Sequence, residues 1–263
     1  MVPPMTRLTT GDRSVAGRVA VITGAASGMG RATAHLFADE GALVAAVDRT
    51  TDGVDAVVGE ISSAGGQAAG WAVDVTDRAA VGGLVDEVVE RLGPPDILVN
   101  NAGVSLPAPI DGDDFEEQWD RTIAVNLTAH TSLIRACLPH LRRNGDGRVV
   151  NIASTEGVGA SAYISPYSAS KHGVIGLSRS LAVELGPEGV TVNVVCPGPI
   201  HTGMTADIPD DAKEKFARRR VPMKRYGHPE EVAHATLSLA LPAMSYCTGA
   251  VLVVDGGFTT KNN

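Results

Sequence analysis

Short apolar runs alternate with longer stretches of helical spacing along most of this chain. Such alternation is typical of repeated strand and helix units that build a parallel sheet. The runs are continuously apolar, so both faces of the sheet are expected to be covered by helices. The sequence therefore predicts an α/β fold, a three-layer sandwich. The predicted strands are residues 19–23, 43–48, 67–73, 96–99, 148–153, 191–196 and 251–254, and the predicted helices are residues 28–39, 51–64, 77–91, 116–142, 166–185 and 229–240.

The predicted elements follow one another without a Pro/Ser-rich linker, which indicates one continuous domain in the 263-residue chain. Residues 1–16 contain Pro, Thr and charge but no apolar segment, and we interpret them as a flexible tail before a domain at 17–263. Residues 197–227 show no clear periodicity. A loop of that length in a compact domain is usually functional. We therefore predict a substrate lid at about 199–226.

The charge balance of the chain indicates which kinds of partner it can bind. The 22 basic and 30 acidic side chains give a formal net charge of −8, which argues against binding to nucleic acid or to an anionic membrane. No apolar stretch approaches the roughly 20 residues that span a bilayer. The 3 cysteines lie far apart and suggest neither a disulfide framework nor a metal site. A cytoplasmic protein that acts on small molecules is expected.

A glycine-rich segment, T-G-A-A-S-G-M-G at residues 23–30, follows the first predicted strand and opens into the first predicted helix. Glycines allow the backbone to approach a pyrophosphate closely, and the helix N-terminus offers unpaired N–H groups. We expect a dinucleotide phosphate site here, with a plain structural turn as the alternative. Its candidate residues are Gly24, Ser27, Gly28, Met29 and Gly30.

The second predicted strand ends at Asp48, about twenty residues after the glycine turn. An acid at this place accepts hydrogen bonds from the adenosine ribose and repels a 2′-phosphate, which favours NAD over NADP. Arg49 stands next to it and acts in the opposite direction. The alternative for Asp48 is a cap on the following helix.

Three further features follow in order: N-N-A-G at residues 100–103, Ser154 after the fifth predicted strand, and Y-S-A-S-K at residues 167–171. Together with the glycine turn and P-G at residues 197–198, they resemble the short-chain dehydrogenase/reductase family over residues 17–257. The combination is specific, because these motifs rarely occur together at such spacings by chance. The resemblance implies a Rossmann-type, doubly wound sheet of seven parallel strands and an oxidoreductase with a nicotinamide cofactor.

Tyr167 and Lys171 carry the predicted chemistry. Four residues apart on a helix, they share one face. A nearby ammonium favours the phenolate, so we expect Lys171 to lower the pKa of Tyr167, which then acts as general acid or base toward an alcohol or carbonyl oxygen. Ser154, at the carboxyl end of a strand, can hold the same oxygen. The alternatives are an exposed helix pair for Tyr167 and Lys171 and a strand-end cap for Ser154.

The resemblance adds further contacts. It implies that Asn126 supports a water linking Lys171 to solvent and that Lys171 also contacts the nicotinamide ribose. The alternatives are an ordinary buried amide for Asn126 and loop capping for Thr202. The implied cofactor contacts are Asp74 and Val75 at the adenine, Asn101, Ala102 and Gly103 along the cleft, Tyr167 and Lys171 at the ribose, and Pro197, Gly198, Ile200 and Thr202 at the nicotinamide.

Small and apolar side chains dominate the expected substrate pocket, which points to a neutral secondary alcohol or ketone. Glu156 is the exception: it either binds a substrate hydroxyl or is a solvated loop acid. Residues 207–225 carry seven basic against four acidic side chains, which either steer an anionic acyl-thioester or form a solvated helix with salt bridges between subunits. The candidate pocket residues are Ser105, Leu106, Ser154, Thr155, Glu156, Tyr163, Ile164, Tyr167, Pro199 and Met204.

Three functions stay open from the sequence. The first is NAD-dependent transfer of hydride between a secondary alcohol or ketone and nicotinamide C4, with Tyr167 as acid/base. The second is reduction of a 3-oxoacyl-thioester on an acyl carrier protein. The third is a non-catalytic nucleotide-binding scaffold, against which the complete set of Asn126, Ser154, Tyr167 and Lys171 argues. The resemblance also implies a homotetramer with Cys247 and residues 255–257 in the subunit contact.

Overall fold

One parallel sheet of seven strands organises the computed structural model, which describes residues 13–261. The strand order is β3-β2-β1-β4-β5-β6-β7, so the chain reverses its direction of travel between β3 and β4. Ligands of doubly wound sheets bind at such a switch point, here between β1 and β4. The strands are β1 Val19–Thr23, β2 Leu43–Asp48, β3 Gln67–Ala72, β4 Ile97–Asn100, β5 Arg148–Ile152, β6 Thr191–Pro197 and β7 Val251–Val254.

Helices cover both faces of this sheet, as the apolar runs predict. Alternate residues of β1 enter two separate cores. Val19 and Val21 of β1 pack in the core under α3, α5 and α6, while Ala20 and Ile22 pack in the core under α1, α2 and α8. The three-layer, doubly wound prediction is therefore confirmed. The helices are α1 Gly28–Asp39, α2 Thr51–Ser63, α3 Arg78–Arg91, α4 Phe115–Ile123, α5 Ala129–Leu141, α6 Ser165–Leu185, α7 Asp210–Arg220 and α8 Pro229–Ala240.

Two segments differ from their predicted secondary structure. The helix predicted at 116–142 is interrupted between α4 and α5 by a π-helical turn, Ala124–Thr128. The lid, predicted without regular structure, contains α7. Only Ala217 of α7 is buried, so the helix has no apolar stripe by which its periodicity is recognised.

The predicted tail at 1–16 is described only from residue 13, and residues 1–12 lie outside the described residues. Val15 is fully buried and packs in the core under α1, α2 and α8. The Gly17 N–H donates to the Gly41 carbonyl at 2.9 Å, which ties this segment to the start of β2. Among residues 13–261, none of the helices has the length and apolar character needed to cross a membrane.

Candidate active site

Hydrogen bonds from residues that follow the neighbouring strand β4 hold the turn after β1 in place. The Asn101 side-chain amide donates to the carbonyl oxygens of Thr23 at 2.9 Å and Gly24 at 3.3 Å. The Thr23 hydroxyl in turn accepts the backbone N–H groups of Asn101 and Ala102, both at 3.0 Å. A Cβ atom on Gly30 would collide with the Gly24 carbonyl oxygen, so no side chain fits where α1 meets the turn. The switch point is thus held rigidly by the two predicted motifs.

The N-terminus of α1 is open to a ligand. Ser27 precedes the helix and is exposed, and within residues 13–261 its hydroxyl makes no capping hydrogen bond. The first turn of the described helix carries no acidic side chain. Met29 is half-buried against the core. Free N–H groups at a helix N-terminus favour phosphate, so the residues present fit the pyrophosphate of a dinucleotide.

Asp48 ends β2 beside this turn. Its carboxylate accepts the Ala26 N–H at 3.1 Å and the Arg49 N–H at 2.7 Å. The next helix, α2, is preceded by Thr50, so Asp48 is not its cap. The Arg49 side chain is exposed. A carboxylate therefore lies at the end of β2, at the predicted place of an adenosine ribose, and backbone N–H groups orient it.

The predicted adenine pair follows β3. The Asp74 carboxylate accepts hydrogen bonds from the Thr76 backbone at 2.8 Å and from the Thr76 hydroxyl at 2.7 Å, which hold the pKa of Asp74 below its usual range. Val75 is buried in the core, and the Val73 N–H donates to the Asp48 carbonyl at 2.7 Å. The ends of β2 and β3 thus form one continuous surface.

Lys171 and Asn126 meet next to Gly103. The buried Lys171 ammonium donates to the Ile152 carbonyl at 2.9 Å. An ammonium has three donors, so others stay available for acceptors in the cleft such as ribose hydroxyls. A Cβ atom on Gly103 would lie 3.3 Å from Asn126 Oδ1 and 3.6 Å from Lys171 Nζ. Gly103 therefore leaves the approach to both groups open.

Asn126 lies in the π-helical turn, and its side chain is fully engaged. Oδ1 accepts the Val104 N–H at 2.8 Å, and Nδ2 donates to the Val104 carbonyl at 2.9 Å and to Ser170 Oγ at 3.2 Å. These bonds join the loop after β4 to α6. Asn126 is a buried amide beside Lys171, and the water-supporting role that the resemblance implies stays a prediction.

Tyr167 has part of its surface open to the cleft, while its hydroxyl lies among protein atoms. This burial raises the pKa of Tyr167, and the Ser154 hydroxyl offsets part of the rise. The Lys171 ammonium is 5.6 Å from the ring centroid, and burial lowers the pKa of Lys171 to about 8. The net direction is opposite to the lowering expected from the Tyr-Lys spacing, because the loss of water around the phenol dominates.

Ser154 follows β5. Its hydroxyl oxygen accepts the Glu156 N–H at 3.1 Å and thereby caps the short turn Thr155–Gly157. This is the predicted strand-end cap, but it uses only an acceptor position of the hydroxyl. The hydroxyl hydrogen can donate to the Tyr167 oxygen or to an oxygen bound in the cleft.

Two buried groups near this cluster were not predicted from the sequence. His130 lies one helical turn after Asn126 and is 2% exposed, and neither ring nitrogen has a hydrogen-bond partner within the described residues. Burial and the Lys171 charge lower the pKa of His130 to about 3, so it is neutral. Cys196 of β6 is buried close enough to influence both Tyr167 and Lys171. His130 could have been found from the sequence, because it is four residues after Asn126 and so on the same helical face. Cys196 could not, because it belongs to a strand far away in the sequence.

The segment after β6 crosses back to the glycine turn. The Gly198 N–H donates to the Val254 carbonyl at 3.0 Å, and Ile200 is buried where the chain bridges to Gly227. The Thr202 N–H donates to Thr205 Oγ at 3.1 Å, so Thr202 starts a local turn. A Cβ atom on Gly28 would lie 3.3 Å from the Thr202 side chain. The predicted nicotinamide segment, which begins at Pro197, therefore lies against the predicted phosphate turn.

Two loops form the outer wall of the predicted substrate pocket. The loop after β4, with Ser105 and Leu106, bridges through Ala108 to Ile164 at the start of α6. Tyr163 has a φ of 65° and is 73% exposed. Thr155 is buried, Pro199 accepts the Gly227 N–H, and Met204 of the lid is exposed. The structure thus brings all predicted pocket segments to the same edge of the sheet, with Tyr163 and Met204 at its rim.

The lid is held by exposed charges and a small aromatic cluster. Arg218 pairs with Glu214 at 2.6 Å, and Arg225 pairs with Glu231 at 2.7 Å. The Phe216 ring lies 5.7 Å from Phe258 and 6.1 Å from Tyr226, centroid to centroid. A cavity of about 850 Å³ extends from Gly28 and Thr202 between α1 and α8.

Comparison with known proteins identifies the family. A family model described as enoyl-(acyl carrier protein) reductase matches residues 24–259. The 3-oxoacyl-acyl-carrier-protein reductase FabG of Thermotoga maritima is 41% identical over 241 residues, which cover 92% of this chain and 97% of the relative. The (2S)-[(R)-hydroxy(phenyl)methyl]succinyl-CoA dehydrogenase subunit BbsD of Thauera aromatica is 42% identical over 240 residues, which cover 91% of this chain and 96% of the relative.

A solved structure from Beutenbergia cavernae, a candidate NAD(P)-dependent gluconate 5-dehydrogenase with NADP bound at low occupancy, superimposes with a TM-score of 0.89. It is 39% identical, and the match covers 95% of this chain and 100% of that chain. The doubly wound sheet, the glycine turn and these matches over nearly the full length agree with one another. The chain is an oxidoreductase of the short-chain dehydrogenase/reductase family.

Proposed function

We propose that this protein transfers hydride between a secondary alcohol or ketone and the nicotinamide C4 of NAD(H), with Tyr167 as general acid/base. One observation carries the proposal: Ser154, Tyr167 and Lys171 converge beside Asn126 at the carboxyl ends of β4 and β5. Ser154 and Lys171 are 9% and 3% exposed. This burial speaks against the alternative of a solvated helix pair. It also speaks against a scaffold role, because burying an ammonium costs stability and a scaffold has no function that requires it.

The residues divide the chemistry among themselves. When bound, the nicotinamide ring supplies the hydride for reduction or accepts it in oxidation. Ser154 donates to the substrate oxygen, since its own oxygen is engaged by the Glu156 N–H. Tyr167 gives its proton to that oxygen in reduction and removes it in oxidation. Because burial raises the pKa of Tyr167, the phenol is protonated at neutral pH and can donate its proton to a carbonyl oxygen.

Lys171 holds the cofactor ribose in this proposal, and its charge stabilises the phenolate that forms as Tyr167 loses its proton. Replacement of Tyr167 by Phe is expected to lower kcat by about 10²–10⁴-fold, the usual contribution of a general acid. Tyr246→Phe is the matched control, because Tyr246 is fully exposed on the surface. Undiminished turnover by Tyr167→Phe, measured by NADH absorbance with a panel of ketones and alcohols, would exclude the mechanism.

We further propose that NAD(H) is preferred over NADP(H). The Asp48 carboxylate at the end of β2 supports this, because it would repel a 2′-phosphate. The neighbour from Beutenbergia cavernae contains NADP, which weighs against it. The test is the ratio of kcat/KM for NADH and NADPH, which is expected to exceed one for the native enzyme and to fall on Asp48→Asn. A ratio below one in the native enzyme would overturn the preference.

A second candidate is reduction of a 3-oxoacyl-thioester. It is supported by the names of the Thermotoga and Thauera relatives and by a groove on α7 of about 470 Å³, lined by Lys215, Phe216, Arg219 and Arg220. None of these three cations forms a salt bridge within residues 13–261. Turnover of acyl-thioesters that falls with ionic strength would favour this candidate. Equal rates on free ketones at all salt concentrations would favour the first.

The assembly and location are also proposals. Val183 of α6 is 80% exposed, and Leu252 and Val253 of β7 are each 37% exposed. Apolar residues on these two elements support a homotetramer that buries them. Light scattering of the purified protein measures its mass directly, and a monomer would contradict the proposal. A cytoplasmic location is expected for an enzyme of this charge and cysteine content.

A further inference from the structure

Glu156 is a carboxylate next to the catalytic cluster, and its surroundings are unusual for a loop acid. It is half-buried in the turn Thr155–Gly157, directly after Ser154 and Thr155. A Cβ atom on Gly157 would lie 2.8 Å from the Lys171 carbonyl oxygen, so the turn is pressed against α6. The position of Glu156 relative to Tyr167 is therefore fixed by packing and does not depend on a mobile loop.

Two serine hydroxyls hold the carboxylate in place. Ser161 Oγ donates to Oε1 at 2.8 Å, and Ser168 Oγ donates to Oε2 at 3.1 Å. Ser168 is the residue after Tyr167 on α6. Both partners are neutral, and the salt bridges within residues 13–261 do not include Glu156. The negative charge is thus oriented but not neutralised.

Three ionisable groups face the phenol from three elements. They are Glu156 in the turn after β5, Cys196 on β6 and Lys171 on α6. Burial raises the pKa of the Cys196 thiol, so it is neutral at pH 7, and the Lys171 ammonium is bonded to the Ile152 carbonyl. His130 on α5 faces Lys171 and is neutral, with a pKa of about 3. Of the groups described around the phenol, Glu156 is the anion, and its charge raises the pKa of Tyr167.

We propose that Glu156 is a positioning residue whose serine-held negative charge keeps Tyr167 in its protonated form and so sets the pH above which the enzyme oxidises alcohols. The inference rests on the proposed role of Tyr167 as proton donor and acceptor. The backbone N–H of Glu156 contributes as well. It donates to the Ser154 hydroxyl oxygen and leaves the hydroxyl hydrogen able to donate. This assigns to Glu156 an electrostatic role in place of the substrate contact or the solvated acid expected from the sequence.

The test is the replacement Glu156→Gln, which keeps the size and hydrogen-bonding capacity of the side chain and removes its charge. The ionisation of Tyr167 is read from tyrosinate absorbance during a pH titration of the protein without cofactor. Subtracting the same titration of a Tyr167→Phe variant isolates this tyrosine from the other three. We expect the midpoint to fall by about one pH unit. In the pH profile of kcat/KM for alcohol oxidation, the midpoint of the rising limb should move to lower pH by the same amount.

Two further variants separate charge from shape. Glu156→Asp retains the charge and is expected to titrate closer to the native protein than to Glu156→Gln. Glu184→Gln, on the exposed surface of α6, is the matched control and should leave the midpoint unchanged. If Glu156→Gln does not fold, as judged by thermal unfolding, Glu156→Ala provides the uncharged side chain for the same titration.

An unchanged Tyr167 midpoint in the uncharged variants would overturn the inference, as would equal shifts in the Asp and Gln variants. A merely structural role would lower activity at every pH without moving the midpoint. The titration requires no turnover, so it stays informative if Tyr167→Phe proves fully active and the proposed function fails.

Discussion

The glycine turn and the lid lie on either side of the same cleft, yet they are held by different forces. The turn is held by buried backbone-directed hydrogen bonds, in which the Thr23 hydroxyl and the Asn101 amide join β1 to β4. The lid is held by exposed ion pairs and by a small apolar cluster of Ala217, Val221 and Tyr226. Exposed ion pairs contribute little stability, whereas a buried N–H that loses its acceptor is costly.

The two regions are therefore expected to differ in their tolerance to substitution. The turn has no space and no water to replace a lost contact, so it suits a cofactor of constant shape. The exposed residues of the lid can change at small cost, so the lid suits the part of the site that differs between substrates. The proposed cofactor and substrate sides of the cleft therefore follow the distribution of buried polar groups.

The largest effect is expected from Gly30→Ala. The new methyl group would collide with the Gly24 carbonyl oxygen, and we expect the free energy of unfolding to fall by more than about 3 kcal/mol, with loss of NADH binding. Gly203→Ala in the lid is the matched control, because a Cβ atom there meets nothing within 4 Å. Urea unfolding and NADH fluorescence measure both. Similar losses in the two variants would contradict the expected difference between the glycine turn and the lid.

The buried ammonium predicts a pH effect. Burial lowers the pKa of Lys171 from 10.5 to about 8, so above about pH 8 the unfolded chain holds a proton that the folded protein has released. The native protein should therefore gain stability relative to Lys171→Met as the pH rises from 8 to 10.5, by on the order of 2 kcal/mol. Urea unfolding at several pH values measures this difference. A constant difference across the range would contradict it.

A matched pair of threonines compares the two regions directly. Thr23→Val removes the acceptor of two backbone N–H groups, and Thr23 is 1% exposed, so we expect a loss of about 2 kcal/mol. Thr205→Val removes the acceptor of the Thr202 N–H in the half-buried lid, where water can take its place, and should cost about 0.5 kcal/mol. Equal costs in urea unfolding would show that the lid is as tightly held as the turn.

The smallest effect is expected from Glu214→Gln. The Arg218 and Glu214 side chains are 70% and 61% exposed, so breaking their ion pair should change the free energy of unfolding by only a few tenths of a kcal/mol. The variant also makes the α7 surface more positive, which is the surface that the second candidate function places near an acyl-thioester. A loss above about 1 kcal/mol would mean that lid charges are structural.

The parts of the fold that depend on local pattern were predictable. The bounds of β1, β2 and β7 and of α1 and α8 agree with those predicted from apolar runs and helical spacing. The sequence did not predict α7, because a helix with one buried residue lacks an apolar stripe. Nor did it predict the π-helical turn at Asn126, because that turn depends on hydrogen bonds to Val104 and Ser170.

The candidate site divides in the same way. The motifs alone indicated which residues are candidates for the chemistry, since Tyr167, Lys171 and Ser154 are recognisable by type and spacing. Only the tertiary structure decided what these groups do to one another. The protonation of Tyr167 depends on burial and on charges from the turn after β5, from β6 and from α6, which lie far apart along the chain. Electrostatic effects act through space and through loss of water, and neither is written in local sequence spacing.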